Sequence, residues 1–174
     1  MKKILILTFL FFNLVSCEKI ENLTDFSLHY DTDFVIPANI PVNTLVHLEE
    51  TDFSISSEDF ENNNTSKDLL EKVVLEKITL TLNNSGDNFD FLTDIEIYIQ
   101  AEDLPKVRMA WKNNIPDGLG NTLILETLNE DILSYFKKDT ISVFVDLKAD
   151  QSVDHEMPAT ATFDFKVNAK ILGN

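Results

Sequence analysis

The segment Thr162-Phe163-Asp164-Phe165-Lys166-Val167-Asn168-Ala169-Lys170-Ile171 decides the fold, because apolar and polar side chains alternate along it without interruption. Such alternation places all the apolar side chains on one face of a β-strand and all the polar side chains on the other. The pattern recurs at residues 78–83, 94–100 and 141–148. Strands of this kind are typical of antiparallel sheets that have one face in a core and the other in water.

Weaker alternation predicts further strands, and turn residues separate them. These strands are expected at Phe26–Ile36, Thr44–Ile55, Val107–Trp111 and Thr122–Glu126. Segments 83–88 and 113–118 are rich in Asn, Asp, Gly and Pro, which favour turns. About eight strands with few helices predict an all-β fold, an antiparallel two-sheet sandwich. A small closed barrel is the alternative.

One or two short helices are expected between the strands. Thr127 and Glu130 have the spacing of a capping box, and the apolar residues that follow share one helical face up to the basic pair Lys137-Lys138. A shorter helix is expected at Lys67–Lys72.

Composition limits the classes of partner. The chain has 174 residues, with 14 Lys+Arg against 30 Asp+Glu, and a formal net charge of -16. Its length allows one domain with a sizeable core. Nucleic acid is not an expected partner, because its binding depends on cationic contacts to phosphate.

The N-terminal residues have the pattern of a secretory signal. The basic start Met1-Lys2-Lys3 and the apolar run Ile4–Phe12 precede Leu14-Val15-Ser16-Cys17. These four residues resemble the lipobox of bacterial lipoproteins. The resemblance implies cleavage between Ser16 and Cys17 and attachment of diacylglycerol and palmitate to Cys17. It also implies an acyl anchor in the membrane. The alternative is an ordinary signal peptide with an incidental cysteine.

The resemblance also implies a division of the chain. Residues 1–16 form the signal peptide, 17–25 a lipidated tether and 26–174 the β-sandwich domain. The lipobox resemblance implies an outer-membrane location, with the periplasmic and cell-surface faces left open. The composition, rich in Phe, Asn and Ile, resembles that of Bacteroidota proteins. Phe89–Trp111 resembles small bacterial lipoproteins of the immunoglobulin-like or late-embryogenesis-abundant-like kind. That likeness implies a sandwich and assigns no functional residue.

The sequence contains no recognisable catalytic motif. The histidines are not spaced as metal ligands, and no cysteine other than Cys17 is present. The acids Glu96, Asp146 and Asp164 are expected on the solvated faces of their strands. We therefore expect neither an enzyme nor a cofactor. Asp87 and Asp90 are weak candidates for calcium, since carboxylate oxygens lie close together there.

Two aromatic residues are exceptions among the polar outer faces. Tyr98 and Phe144 alternate with inward apolar residues, and they are candidates for a protein interface. The alternative is that they pack beneath the predicted helix or beneath the segment 37–66. A separate motif, Asp139-Thr140-Ile141, resembles the Bacteroidota O-glycosylation site and makes Thr140 a candidate for modification.

Together these features predict a non-catalytic, lipid-anchored outer-membrane protein. Its expected role is that of an accessory or binding subunit of a cell-envelope complex, with other envelope proteins as partners. The alternative is a surface or periplasmic lipoprotein that binds a ligand such as a glycan, a peptide or a lipid.

Overall fold

The computed structural model describes residues 25–171. Ser16, Cys17 and the remainder of the predicted signal peptide and tether up to residue 24 lie outside the described residues. The strands are β1 Asp25–Ile36, β2 Leu45–His47, β3 Thr51–Ser54, β4 Leu70–Leu82, β5 Leu92–Gln100, β6 Val107–Asn113, β7 Thr122–Ile124, β8 Glu126–Thr127, β9 Thr140–Ala149 and β10 Met157–Ala169. The helices are α1 Glu58–Glu61 and α2 Leu133–Phe136, with a 3-10 turn at Lys67–Leu69. None of these helices has the length and apolar character needed to cross a membrane.

The strands form two antiparallel sheets, as the alternating pattern predicts. The four-stranded sheet has the order β1-β10-β4-β7. The six-stranded sheet has the order β2-β9-β5-β6-β8, and β3 also pairs with β9. The predicted all-β two-sheet sandwich is confirmed. The described part of the chain has ten strands in place of about eight, because the predicted strand 44–55 is divided into β2 and β3 and because β8 adds a further short strand.

The apolar faces of the two sheets meet in a core that contains an aromatic cluster. The ring centroids of Phe136 and Phe165 are 4.7 Å apart, and those of Tyr30 and Phe53 are 4.8 Å apart. The ring centroid of Phe163 lies 5.5 Å from that of Phe53, so Phe163 belongs to the same cluster. Edge-to-face and offset contacts at these distances add to the stability gained from burial of the rings.

The capping-box prediction is wrong. Thr127 belongs to β8, and the helix begins only at Leu133. Asp131, shortly before the helix, is held against β4. It forms a bridge with Val74, and its carboxylate accepts a hydrogen bond from the Val73 N–H at 3.1 Å. Pairing with distant strands therefore outweighs the local helix signal.

The helix expected at Lys67–Lys72 is also shorter than predicted. Only the 3-10 turn is helical, and β4 begins immediately afterwards at Leu70. Leu70, Val73 and Leu75 are buried in the core. Their burial favours an extended chain at the position where local sequence favours a helix.

Candidate binding face

Tyr98 and Phe144 lie directly opposite each other on neighbouring strands. Tyr98 of β5 is paired with Phe144 of β9, and both side chains point to the outer face of the six-stranded sheet. Both are half-buried. Residues opposite each other in an antiparallel pair bring their side chains into contact. The structure therefore places the two candidate interface residues side by side.

The cover over these rings is a lysine and was not anticipated. Lys106, just before β6, has its Nζ 4.1 Å from the centroid of the Phe144 ring and 4.8 Å from that of the Tyr98 ring. Both distances fit a cation–π contact. The segment 37–66, considered as a cover, supplies β2 and β3, which extend the sheet beside β9. The helix α2 packs near β4, in the other sheet.

A carboxylate connects the aromatic pair to β6. The Tyr98 hydroxyl donates a hydrogen bond to Glu96 Oε2, and Arg108 Nη1 donates one to Glu96 Oε1 at 2.6 Å. The hydroxyl of Tyr98, followed by the guanidinium of Arg108, holds the pKa of Glu96 below its usual value. The same carboxylate, together with burial, raises the pKa of Tyr98 to about 12. Glu96 is thus a fixed anion and Tyr98 a neutral donor at physiological pH.

A β-bulge turns Trp111 to this face. Ile97 pairs with Ala110 and Tyr98 pairs with Arg108, so Met109 is an extra residue in β6. Met109 and Ala110 are both buried, and the alternation therefore changes phase between them. Trp111, opposite Glu96, consequently lies on the outer face with Arg108, whose guanidinium carbon is 4.6 Å from the Trp111 ring centroid.

We call the set Tyr98, Phe144, Trp111, Lys106, Arg108 and Glu96 the aromatic face. Arg108 is the only arginine of the chain and Trp111 its only tryptophan. Of the three tyrosines, Tyr30 and Tyr135 are buried in the core, whereas Tyr98 reaches the surface. Trp111 and Arg108 were not predicted from the sequence as site residues. The signal that could have found them is their rarity, since each occurs once in the chain and they lie three residues apart.

The outward acids differ in their surroundings. Asp164 lies on the outer face of the four-stranded sheet, and its Oδ1 is 2.6 Å from His29 Nδ1. Asp146 is 8% exposed as a whole residue, so the expectation of a solvated side chain is wrong there. Its Oδ1 lies 2.7 Å from His47 Nδ1, and His47 is opposite it on β2. The exposed His47 ring covers the carboxylate at the edge of the sheet.

The calcium candidates have separate protein partners. Asp87 Oδ1 lies 2.9 Å from His155 Nε2, whereas Asp90 Oδ1 accepts a hydrogen bond from the Gly118 N–H at 2.7 Å. Within residues 25–171, no three His, Cys, Asp or Glu side chains are grouped so that they could hold a metal ion. The structure therefore does not bring these two carboxylates together with a third ligand.

Thr140 is exposed at the start of β9, where it could be reached by a modifying enzyme. It lines a cavity of about 420 Å³ together with Lys138 and Asp139. Asp139 forms an ion pair with Lys67, with 2.8 Å between Asp139 Oδ1 and Lys67 Nζ. Modification of Thr140 stays a prediction.

No protein-family model matches the chain, and no curated protein matches it. Solved structures with a similar arrangement include a chain of the infectious bursal disease virus Gt strain, 14% identical with a TM-score of 0.37 over 83% of this chain. This chain spans 32% of that viral chain. A family 32 CBM of Clostridium perfringens NanJ in complex with galactose is 15% identical, with a TM-score of 0.33 over 76% of this chain and 93% of that chain.

Proposed function

We propose that the protein is a non-catalytic, lipid-anchored outer-membrane protein that serves as an accessory, binding subunit of a cell-envelope complex. The observation that carries the proposal is the aromatic face. Trp, Tyr and Arg are the residue types most enriched at the energetic centres of protein interfaces. In this chain the single Trp, the single Arg and the surface Tyr lie together on the outer face of one sheet.

The geometry of the aromatic face favours binding because its side chains are already held in place. Lys106 lies over two rings, Arg108 stacks on Trp111, and Glu96 accepts hydrogen bonds from both Tyr98 and Arg108. Ordering a free side chain at an interface costs about 0.5–1.5 kcal/mol. Preorganised side chains avoid much of that cost, and the surrounding charges supply a polar rim.

The proposed anchor at Cys17 strengthens weak contacts. Confinement to a membrane surface raises the effective concentration of the domain near other membrane-bound proteins. A modest interface is then sufficient for stable association. The anchor is supported by the resemblance of Leu14-Val15-Ser16-Cys17 to the lipobox.

The test is a pull-down of the full chain from native membranes in mild detergent. We expect defined envelope proteins to co-purify with the wild type, and we expect Tyr98→Ala combined with Phe144→Ala to reduce their recovery. The matched control is Lys72→Ala combined with Thr81→Ala on β4 of the other sheet, which we expect to leave recovery unchanged. Loss of partners in the control as well would refute a specific role for the aromatic face.

Thermal unfolding of the same variants separates binding from folding. The Tyr98/Phe144 variant loses the contacts with Lys106 and the hydrogen bond to Glu96, so a lower unfolding temperature than that of the control is expected. If the variant is unfolded at the temperature of the pull-down, the rings serve internal packing and this site is lost. If it is stable and retains every partner, the contact surface lies elsewhere. If neither the wild type nor the Tyr98/Phe144 variant recovers a protein partner, the alternative function is favoured, which is binding of a ligand such as a glycan, a peptide or a lipid.

A further inference from the structure

The four-stranded sheet ends in an unusually long edge strand. β1 has 12 residues, and within residues 25–171 its only strand partner is β10. The strands at the other sheet edges, β2, β3, β7 and β8, have two to four residues each. Short edge strands are a common protection against unwanted pairing, because an edge exposes unpaired N–H and C=O groups. β1 lacks that protection.

The ladder between β1 and β10 shows which backbone groups of β1 are free. Val35 is opposite Pro158, and the carbonyl of Pro158 accepts a hydrogen bond from the Asn83 N–H at 2.8 Å. The backbone of Pro158 therefore points towards β4, and Val35 and Pro158 form a non-hydrogen-bonded pair. The N–H and C=O groups of Val35 consequently point away from β10. The N–H and C=O groups of Asp33 and of every second residue before it also point away from β10, since the register between β1 and β10 has no shift.

Three further features that protect edges, namely proline, lysine and a bulge, are missing from β1, and its charged side chains are the aspartates Asp25, Asp31 and Asp33. Its twelve residues include no Pro, Gly or Lys, and its pairing with β10 continues from Asp25 to Ile36 without a bulge. Proline, lysine and bulges are the usual means of blocking the addition of a strand. The edge is thus regular enough to accept another strand along its length.

An acidic groove lies beside the C-terminal end of this edge. The groove has a volume of about 480 Å³, and Asp33 and Val35 of β1 line one side of it, with Glu49 and Glu50 among the residues between β2 and β3. Glu156 is the fourth carboxylate of the lining, and no Lys or Arg from residues 25–171 belongs to it. His47 also lines the groove, but its Nδ1 lies 2.7 Å from Asp146 Oδ1, outside the groove lining. Four carboxylates with no Lys or Arg among the described residues of the lining attract a positively charged side chain.

We propose that β1 and this groove bind an extended, basic segment of another polypeptide, which adds as a strand to the four-stranded sheet. The backbone of the segment pairs with the free groups of Asp33, Val35 and the preceding alternate residues. A Lys or Arg side chain of the segment enters the acidic groove. Asp31 also lies on the exposed face of β1, so a cation of the added strand next to it meets an opposite charge.

The same carboxylates argue against a second copy of this chain as the occupant. Its most regular free strand is β1 itself, and pairing two copies of β1 brings Asp residues close to one another. Like charges opposite each other across a strand pair are destabilising. The proposed surface joins the edge of the four-stranded sheet to the β2–β3 segment and includes no residue of the aromatic face.

The test uses a fluorescent peptide in which lysine alternates with valine, added to the purified full chain. We expect saturable binding, measured by fluorescence anisotropy, that weakens as salt increases. A peptide with glutamine in place of lysine and a lysine peptide N-methylated on alternate backbone amides are both expected to bind at least about tenfold more weakly. Equal binding of the N-methylated peptide would overturn strand addition and leave only general attraction to an acidic protein.

Two pairs of variants locate the site. Glu49→Gln with Glu50→Gln is expected to weaken binding about tenfold, whereas Asp117→Asn with Glu130→Gln removes the same charge from distant exposed loops and leaves binding unchanged. If both pairs of substitutions weaken peptide binding equally, the groove is not the binding site.

Val35→Pro removes an N–H that points to the free edge and spares the ladder to β10, and Val35→Thr keeps that N–H. We expect only the proline variant to lose binding. If the proline variant fails to fold, the N-methylated peptide decides the question. A dimer of the wild type that excludes the peptide would overturn the choice of occupant.

Discussion

Lys106→Met, made alone and together with Phe144→Leu, measures the contact that organises the aromatic face. The ammonium of Lys106 lies over two rings, 4.1 Å from the centroid of Phe144 and 4.8 Å from that of Tyr98. Methionine keeps an unbranched apolar stem and removes the charge. Leucine keeps an apolar side chain at position 144 and removes the ring. The pair therefore isolates the interaction between cation and ring from the burial of apolar surface.

The magnitude follows from the two distances and from partial exposure. A cation–π contact at an exposed site contributes about 0.5–1 kcal/mol. Lys106 makes two such contacts, and the methionine sulfur recovers part of the loss by contacting the rings. We therefore expect Lys106→Met to lower the free energy of unfolding by about 1 kcal/mol. The coupling energy between Lys106→Met and Phe144→Leu is expected to be about 0.5–1 kcal/mol.

The assay is urea denaturation of the wild type, the two single variants and the double variant, with the free energy of unfolding obtained by linear extrapolation. A second cycle pairs Lys148→Met with Phe144→Leu. Lys148 lies on the same face of β9 but is opposite Asp94 and Leu45, so its coupling to Phe144 is expected to be near zero. A Lys106–Phe144 coupling energy no larger than that of the Lys148 cycle would show that the ammonium of Lys106 does not stabilise the ring of Phe144.

Three further predictions concern the core, the loops and the N-terminus. Phe165→Ala is expected to lower the free energy of unfolding by about 3–5 kcal/mol in the same assay, because the ring is fully buried among other aromatic rings; a loss below 1 kcal/mol, on the order expected for a surface site, would contradict the assigned core. Asp154, followed by Asp87, raises the pKa of His155 above 6.5, so the stability that His155 contributes is complete below that pH and is lost as pH rises through the folded-state value. The difference in unfolding free energy between the wild type and His155→Gln is therefore expected to grow as pH falls towards 6.5, and a constant difference would contradict the contact. Cys17→Ala is expected to abolish palmitate labelling and membrane fractionation, and a variant that retains both would refute lipidation at this residue.

Sequence alone predicted most of the sheets. A strand such as β10 is recognisable because one of its faces is buried along its whole length, which forces polar and apolar residues to alternate. The same pattern correctly placed Ile141 and Val143 in the core and Phe144 on the opposite face. The capping-box spacing at Thr127 misled, because helix signals are local whereas the pairing of Asp131 with Val74 joins distant parts of the chain.

The candidate site was predicted only in part, for physical reasons. Tyr98 and Phe144 were identified because they break the polar pattern of an outer face. Trp111 was missed because the bulge at Met109 reverses the alternation, and nothing in the local sequence marks that bulge. Lys106 was missed because its position over the rings depends on how β6 approaches β5.

Photo-crosslinking in intact cells tests most directly whether the outer face of the six-stranded sheet is the binding surface. A photoreactive residue is introduced at Asn113, which is exposed on β6 opposite Asp94, or at Lys72, which is exposed on β4 of the other sheet. We expect a discrete crosslinked adduct from position 113 and none from position 72, and we expect the adduct to disappear when Tyr98 and Phe144 are replaced by alanine. An adduct from position 72 alone, or one from position 113 that survives those replacements, would contradict binding at this face.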